Sequence, residues 1–326
     1  MTASTLNTPL DHEQDVLQIA ASLLDELNPH FEGRCILLVD PVLRPPKGDD
    51  PLAVVMEEHP SHAARLQSRN LDQANDPILI ELDVRTDAGR QALIGSVNEA
   101  LLENTPDELA TGQGRRICGW LASSAPLEHV ARHLGAVAIQ NHASGNKVLL
   151  RSYDPAVAEH LWPLLLPRQQ DVLWGPVAAW WFIDGNQQLR QQQRTGPRQS
   201  STAQLGLQPQ QWQVIDLIGP LNRALLLARQ EGRQIVSTDL AVARAALQRA
   251  QASGFSDAQD LADYAVFALL VHPHFDLHPK VRPLLAQRPP GAFFTGLVAD
   301  LTEADWQLVA ASPAGRNTPA APPSEQ

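Results

Sequence analysis

Residues 116–155, RICGWLASSAPLEHVARHLGAVAIQNHASGNKVLLRSYDP, pass from strand to helix to hairpin to helix. Arg116–Leu121 is an apolar run of strand length. Pro126–Leu134 then repeats apolar residues at helical spacing, with Ser124 or Ala125 at its entry and Gly135 placed to cap its end. Residues 136–152 read as a hairpin, AVAIQ and KVLLRS, around a polar turn at Ser144-Gly145-Asn146. Asp154-Pro155 opens the next helix, because Asp caps an N-terminus well and Pro suits the first helical position. Arg151 lies close enough in sequence to pair with Asp154, so Arg151-Ser-Tyr153-Asp154-Pro155 reads as a structural corner.

Working outward, HEQDVLQIAASLLDEL (12–27) is an amphipathic helix, and Cys35–Val39 and Ile78–Leu82 are further runs of strand length. Polar loops with Pro45-Pro46 and Gly48-Asp49-Asp50 separate them, and a helix is expected from about Asp87 to Glu103. Trp174-Gly175-Pro176 breaks the chain before a last strand, AAWWFID (178–184). Trp180 and Trp181 are adjacent, so in a strand they face opposite sides. One packs in the core, and the other needs cover from a helical lobe or a partner. This irregular alternation predicts an α/β (α+β) N-terminal lobe over residues 1–184 with a small mixed sheet.

From 185 to 213 the sequence is Gln-rich, with Arg190, Arg194 and Arg198 and no acid, and reads as a linker or arm. Residues 214–311 form an all-α C-terminal lobe, with helical patterns at 210–230, 238–252, 257–271 and 302–311. Ser256 and Thr302 are the expected N-caps, and Pro220 is expected to start or kink the first helix. The Pro/Ala-rich residues 312–326 read as a tail that builds no core.

The 326 residues carry 25 Lys+Arg against 36 Asp+Glu, a net charge of −11. Residues 1–184 hold 13 basic and 25 acidic side chains, a balance of −12, which repels phosphate backbones and argues against nucleic acid as a partner. The two cysteines, Cys35 and Cys118, lie within apolar strand patterns and suit a reducing compartment. No apolar run is long enough to span a membrane, and the opening residues do not read as a signal peptide. These features point to a cytoplasmic protein.

Metal chemistry has one candidate, His272-Pro-His274-Phe-Asp276-Leu-His278, whose imidazoles and carboxylate are zinc-ligand types. It carries one residue too many for the HxHxDH pattern of metallo-β-lactamase-like hydrolases, and it follows an apolar helix between prolines, as an exit turn does. His129 and His133 share a helix face, but Val130 stands where a zincin places its catalytic Glu. No phosphate-binding glycine loop or nucleophile elbow occurs. The residues therefore assemble no catalytic, cofactor or metal site. Trp180, Trp181, Arg190, Arg194 and Arg198 are the candidates for partner contact.

The order RRICGWLASSAPLEHVARHL, GNKVLLRSYDPAVAEHLWPLL, LWGPVAAWWFID resembles the adaptor (chaperone) family of bacterial type VI secretion systems, over roughly residues 34–184. The resemblance rests on Gly119-Trp120, His133-Leu134, Arg151-Ser-Tyr153-Asp154-Pro155, Gly175-Pro176 and Trp180. GFSDAQDLADYAVFALLVHPHFDLHP likewise resembles a helical module found after that domain, which makes the histidine cluster a structural turn. The resemblance implies a non-enzymatic protein without cofactor. It would bind a toxin effector and help load it onto the spike, either the valine-glycine repeat protein (VgrG) or its PAAR tip. Two rivals remain at this level: a metal-dependent hydrolase built on His272, His274, Asp276 and His278, and a toxin-neutralising immunity protein.

Overall fold

The computed structural model describes residues 9–42, 44, 50–66, 76–111, 114–194, 196 and 202–312. The chain divides into two compact units, Met1–Asp216 and Leu217–Gln326.

Unit 1 is built on a six-stranded sheet. Its strands are β1 (Arg34–Val39), β2 (Ser61–Ala63), β3 (Ile78–Asp83), β4 (Ile117–Ala122), β7 (Ala179–Ile183) and β8 (Leu189–Gln193), in the order β2-β3-β1-β4-β7-β8. β5 (Ile139–Asn141) and β6 (Lys147–Leu149) form a separate hairpin. All five pairings in the large sheet are antiparallel, not mixed as the sequence suggested. The reason is that runs such as CILLV are buried on both faces, and continuous burial carries no information about strand direction.

The helices of this unit are α1 (Pro9–Phe31), α2 (Pro51–Glu58), α3 (Asp87–Leu102), α4 (Pro106–Ala110), α5 (Leu127–Val137), α6 (Pro155–Leu161), α7 (Pro167–Trp174) and α8 (Pro209–Ile215). Leu23 and Leu27 of α1, Leu93 and Val97 of α3 and Leu52 of α2 pack on one face of the sheet, against Leu37, Ile80, Trp120 and Trp181. Val130, Ala131 and Leu134 of α5, Ala158 of α6 and Trp174 of α7 pack on the other, against Leu38, Leu79, Cys118, Trp180 and Phe182. The side-chain period of two puts Trp180 and Trp181 into different cores, 5% and 2% exposed. Both indoles are thus covered within unit 1, which corrects the expectation that one needs another lobe or a partner.

Two glycines are fixed by packing. Gly119 pairs with Leu38 and Ile117 with Val39, so Cys118 is the extra residue of a bulge. There φ is +123°, and a Cβ would lie 2.2 Å from the Trp181 carbonyl oxygen. Gly135 does not cap α5 as its position suggested. The helix continues to Val137, and Gly135 lets it approach the backbone, where a Cβ would meet Arg65 O at 2.2 Å.

The described parts of the segment expected to be a linker or arm, 185–194, 196 and 202–213, belong to unit 1. β7 turns at Asp184 into β8, which extends the sheet. Asp184 Oδ1 accepts from the N–H groups of Asn186 and Gln188, and Gln187 takes the left-handed position. Further on, glutamine amides act as substitute backbone. Gln140 Oε1 accepts from Leu205 N–H, and its Nε2 donates to Val137 O and Ala203 O. Gln169 and Gln211 donate to each other at 3.0 and 2.9 Å. Leu205 is consequently buried.

Unit 2 is helical: α9 (Ile218–Gln230), α10 (Ser237–Ala252), α11 (Ala258–Leu270), α12 (Arg282–Ala286), α13 (Phe294–Val298) and α14 (Glu303–Ala310). Pro220 sits in the first turn of α9, and α8 precedes it as a separate helix. Thr302 and Asp305 form the reciprocal capping box of α14. α11 is capped by Asp257 and not by Ser256. The core gathers Phe255, Tyr264, Phe275 and Phe294, with ring centroids 4.8–6.0 Å apart.

Candidate functional site at the Arg151 corner

The corner read from the sequence forms where the β5–β6 hairpin meets α6. Asp154 is extended and accepts from Ala156 N–H at 2.9 Å, so it caps α6, and Pro155 occupies the first position. Tyr153 is buried in the α5-side core. Burial pushes its phenol well above the usual tyrosine range, with the carboxylate of Asp40 adding to the effect.

Arg151 does pair with Asp154, at 3.5 Å, but its closer partner is Asp40 at 2.8 Å. Asp40 follows β1 and is fully buried. It also accepts from Val42 N–H through Oδ1, and its own N–H donates to Arg116 O. Burial alone would lower the Arg151 pKa, but Asp154 and Asp40 outweigh it and hold the guanidinium protonated. Next to this group the Cys118 thiol is pushed up, first by burial and then by the Asp40 charge. A thiol held protonated is a poor nucleophile.

A second arginine, Arg116, buried where Arg151 is half-buried, lies one hydrogen bond away along the backbone. Arg116 donates to Asp50 at 2.5 and 3.0 Å, pairs with Glu99, and has its Nε 2.9 Å from Glu103 Oε1. Glu103 Oε2 accepts from the N–H groups of Arg116 and Ile117 at the start of β4. Arg44 reaches Glu108 at 2.9 Å and Glu103 at 3.9 Å. Four carboxylates thus share two guanidiniums. Burial pushes the Glu103 carboxyl up to about 7, against the pull of its two backbone donors and of Arg44. Asp50-Pro51 repeats the device of Asp154-Pro155: an Asp caps a helix, a Pro follows, and the same Asp carboxylate holds an arginine.

Together these groups form a polar layer at one end of the sheet, joining β1, β4, α2, α3, the hairpin and α6. Ion pairs between three guanidiniums and six carboxylates run through the layer and lock these elements together. The sequence located Arg151, Tyr153, Asp154 and Pro155 but missed Asp40, Asp50, Glu99, Glu103 and Arg116. Asp50-Pro51 before an apolar run was the available signal.

The other candidates fall elsewhere. Trp180 and Trp181 are core residues, with Trp180 Nε1 donating to Cys118 O. Arg190 is 55% exposed on β8, with its Nε donating to Asp184 Oδ2 at 2.6 Å. Arg194 donates to Gly175 O, and Arg198 lies outside the described residues. In unit 2, Asp276 is held by Arg249 Nε and Nη2 at 2.9 and 3.1 Å. His272 Nδ1 accepts from His274 N–H, and His278 Nδ1 from Lys280 N–H. The carboxylate and two of the imidazoles therefore serve the turn. Among the described residues no group of three or more His, Cys, Asp or Glu is placed to hold a metal ion. No helix among them is long and apolar enough to cross a membrane.

No curated protein and no solved structure matches the chain. A family match does exist, shorter than the resemblance read over 34–184, and it contains the Arg151–Pro155 corner but not β1, β7 or Gly175-Pro176. Residues 58–172 match the family described as a domain of unknown function (DUF4123), which is linked to type VI secretion effector adaptors.

Proposed function

We propose that this protein is a non-enzymatic adaptor that binds a type VI secretion toxin effector in the cytoplasm of the producing cell and promotes its loading onto the VgrG spike or its PAAR tip. The observation that carries this reading is the match of residues 58–172 to a family linked with such adaptors, with the Arg151–Pro155 corner inside it. The chemistry of the corner is in keeping with a scaffold role. Arg151 is ion-paired with Asp40 and Asp154, and burial holds the neighbouring thiol protonated.

Deleting the gene tests the proposal in a bacterial competition assay. The expected result is loss of killing by one toxin while the secretion apparatus still delivers others, with killing restored by the gene in trans. Unchanged delivery of every toxin contradicts it. Expression in the recipient separates the immunity alternative, because an adaptor leaves the recipient sensitive whereas an immunity protein protects it.

A further inference from the structure

The outer edge of β8 offers a backbone ladder. Asp184 N–H donates to Gln188 O, and Arg194 N–H donates to Ala178 O. In an antiparallel pair the residues bonded to the neighbour alternate. Residues 188, 190, 192 and 194 therefore turn their backbone groups to β7. The N–H and C=O of Leu189, Gln191 and Gln193 point away from it. Among the described residues no strand pairs with that side, and Gln188, Arg190, Gln191 and Gln193 are exposed.

The edge also differs in charge from what precedes it. Residues 1–184 sum to −12, whereas no acid occurs from 185 to 213, and β8 carries Arg190, its Nε held by Asp184 and its side chain 55% exposed. The Arg194 N–H bond to Ala178 O continues the β8 register by one residue, so the side chains of Arg190 and Arg194 lie on the same sheet face. A second copy pairing antiparallel about Gln191 would set each Arg190 opposite Gln192 and diagonal to the other Arg190, so it would offer this edge no carboxylate.

We infer that β8 is a docking edge for an extended, carboxylate-bearing segment of a partner polypeptide, which adds as a further strand through Leu189, Gln191 and Gln193. Main-chain bonds supply the affinity, and acidic side chains facing Arg190 supply the selectivity. This inference stands on the edge geometry and charge, so it survives or fails separately from the type VI reading.

The test uses the full chain and two labelled peptides of about nine residues, one alternating Thr with Glu and the other Thr with Lys, read by fluorescence anisotropy. The Thr/Glu peptide is expected to bind at least about tenfold more tightly. Gln191→Pro removes one outward N–H and no ladder bond to β7, and should weaken that binding by about tenfold or more. Arg190→Gln, which keeps the backbone intact, should narrow the preference between the peptides. Equal affinity for both peptides, no binding of either, or binding unchanged by Gln191→Pro and Arg190→Gln overturns the inference. Sedimentation that finds a dimer abolished by Gln191→Pro assigns the edge to a second copy and overturns it as well.

Discussion

Arg151 stands between two carboxylates of unequal burial, and that asymmetry ranks the substitutions around it. Arg151→Ala leaves the fully buried Asp40 without its guanidinium, at a cost of about 2–3 kcal/mol, since part of the Arg151 side chain is exposed. Asp154→Ala loses a cap and a longer ion pair, about 1 kcal/mol. Urea denaturation should place Arg151→Ala clearly below Asp154→Ala, and the reverse order would mean that Asp40 is not the principal partner. Glu103 gives a pH prediction. Its folded pKa, about 7, is above its ordinary value of 4.5, so the stability it contributes is fullest below 4.5 and is lost as pH rises through 7. The melting temperature should fall from pH 5 to pH 8, and Glu103→Gln should flatten that slope. An unchanged slope in the variant would assign it to another group.

At the scale of elements, legibility followed burial and periodicity. α3, α10 and α11 lie within about two residues of their sequence-read bounds, because apolar residues recur at helical spacing. β8 was invisible: an exposed edge strand reading LRQQQ has no apolar alternation. α2 was lost in what reads as a polar loop, although Asp50-Pro51 marks its start. The corner itself was legible, since Asp154 and Pro155 act locally. Its main partner was not, because Asp40 lies 111 positions from Arg151 and no local pattern joins them. The same holds for the glutamine contacts that fix residues 202–211. Gln140→Ala should therefore expose the segment around Leu205 to limited proteolysis while far-ultraviolet circular dichroism stays near wild type. Equal protease resistance would show that Leu205 burial alone holds the segment.

At the scale of the molecule, the two units have separate cores, one on each face of the antiparallel sheet for unit 1 and an aromatic cluster for unit 2. Residues 217–312 expressed alone should be helical and melt cooperatively. A non-cooperative melt would show that their core depends on unit 1. The adaptor account is tested most directly by affinity purification of the tagged full chain from its own host at moderate salt, with mass spectrometry of what accompanies it. The account predicts a toxin-like polypeptide recovered together with a VgrG or PAAR spike protein. Recovery of the protein free of both, from cells producing an assembled secretion apparatus and its toxins, would contradict it.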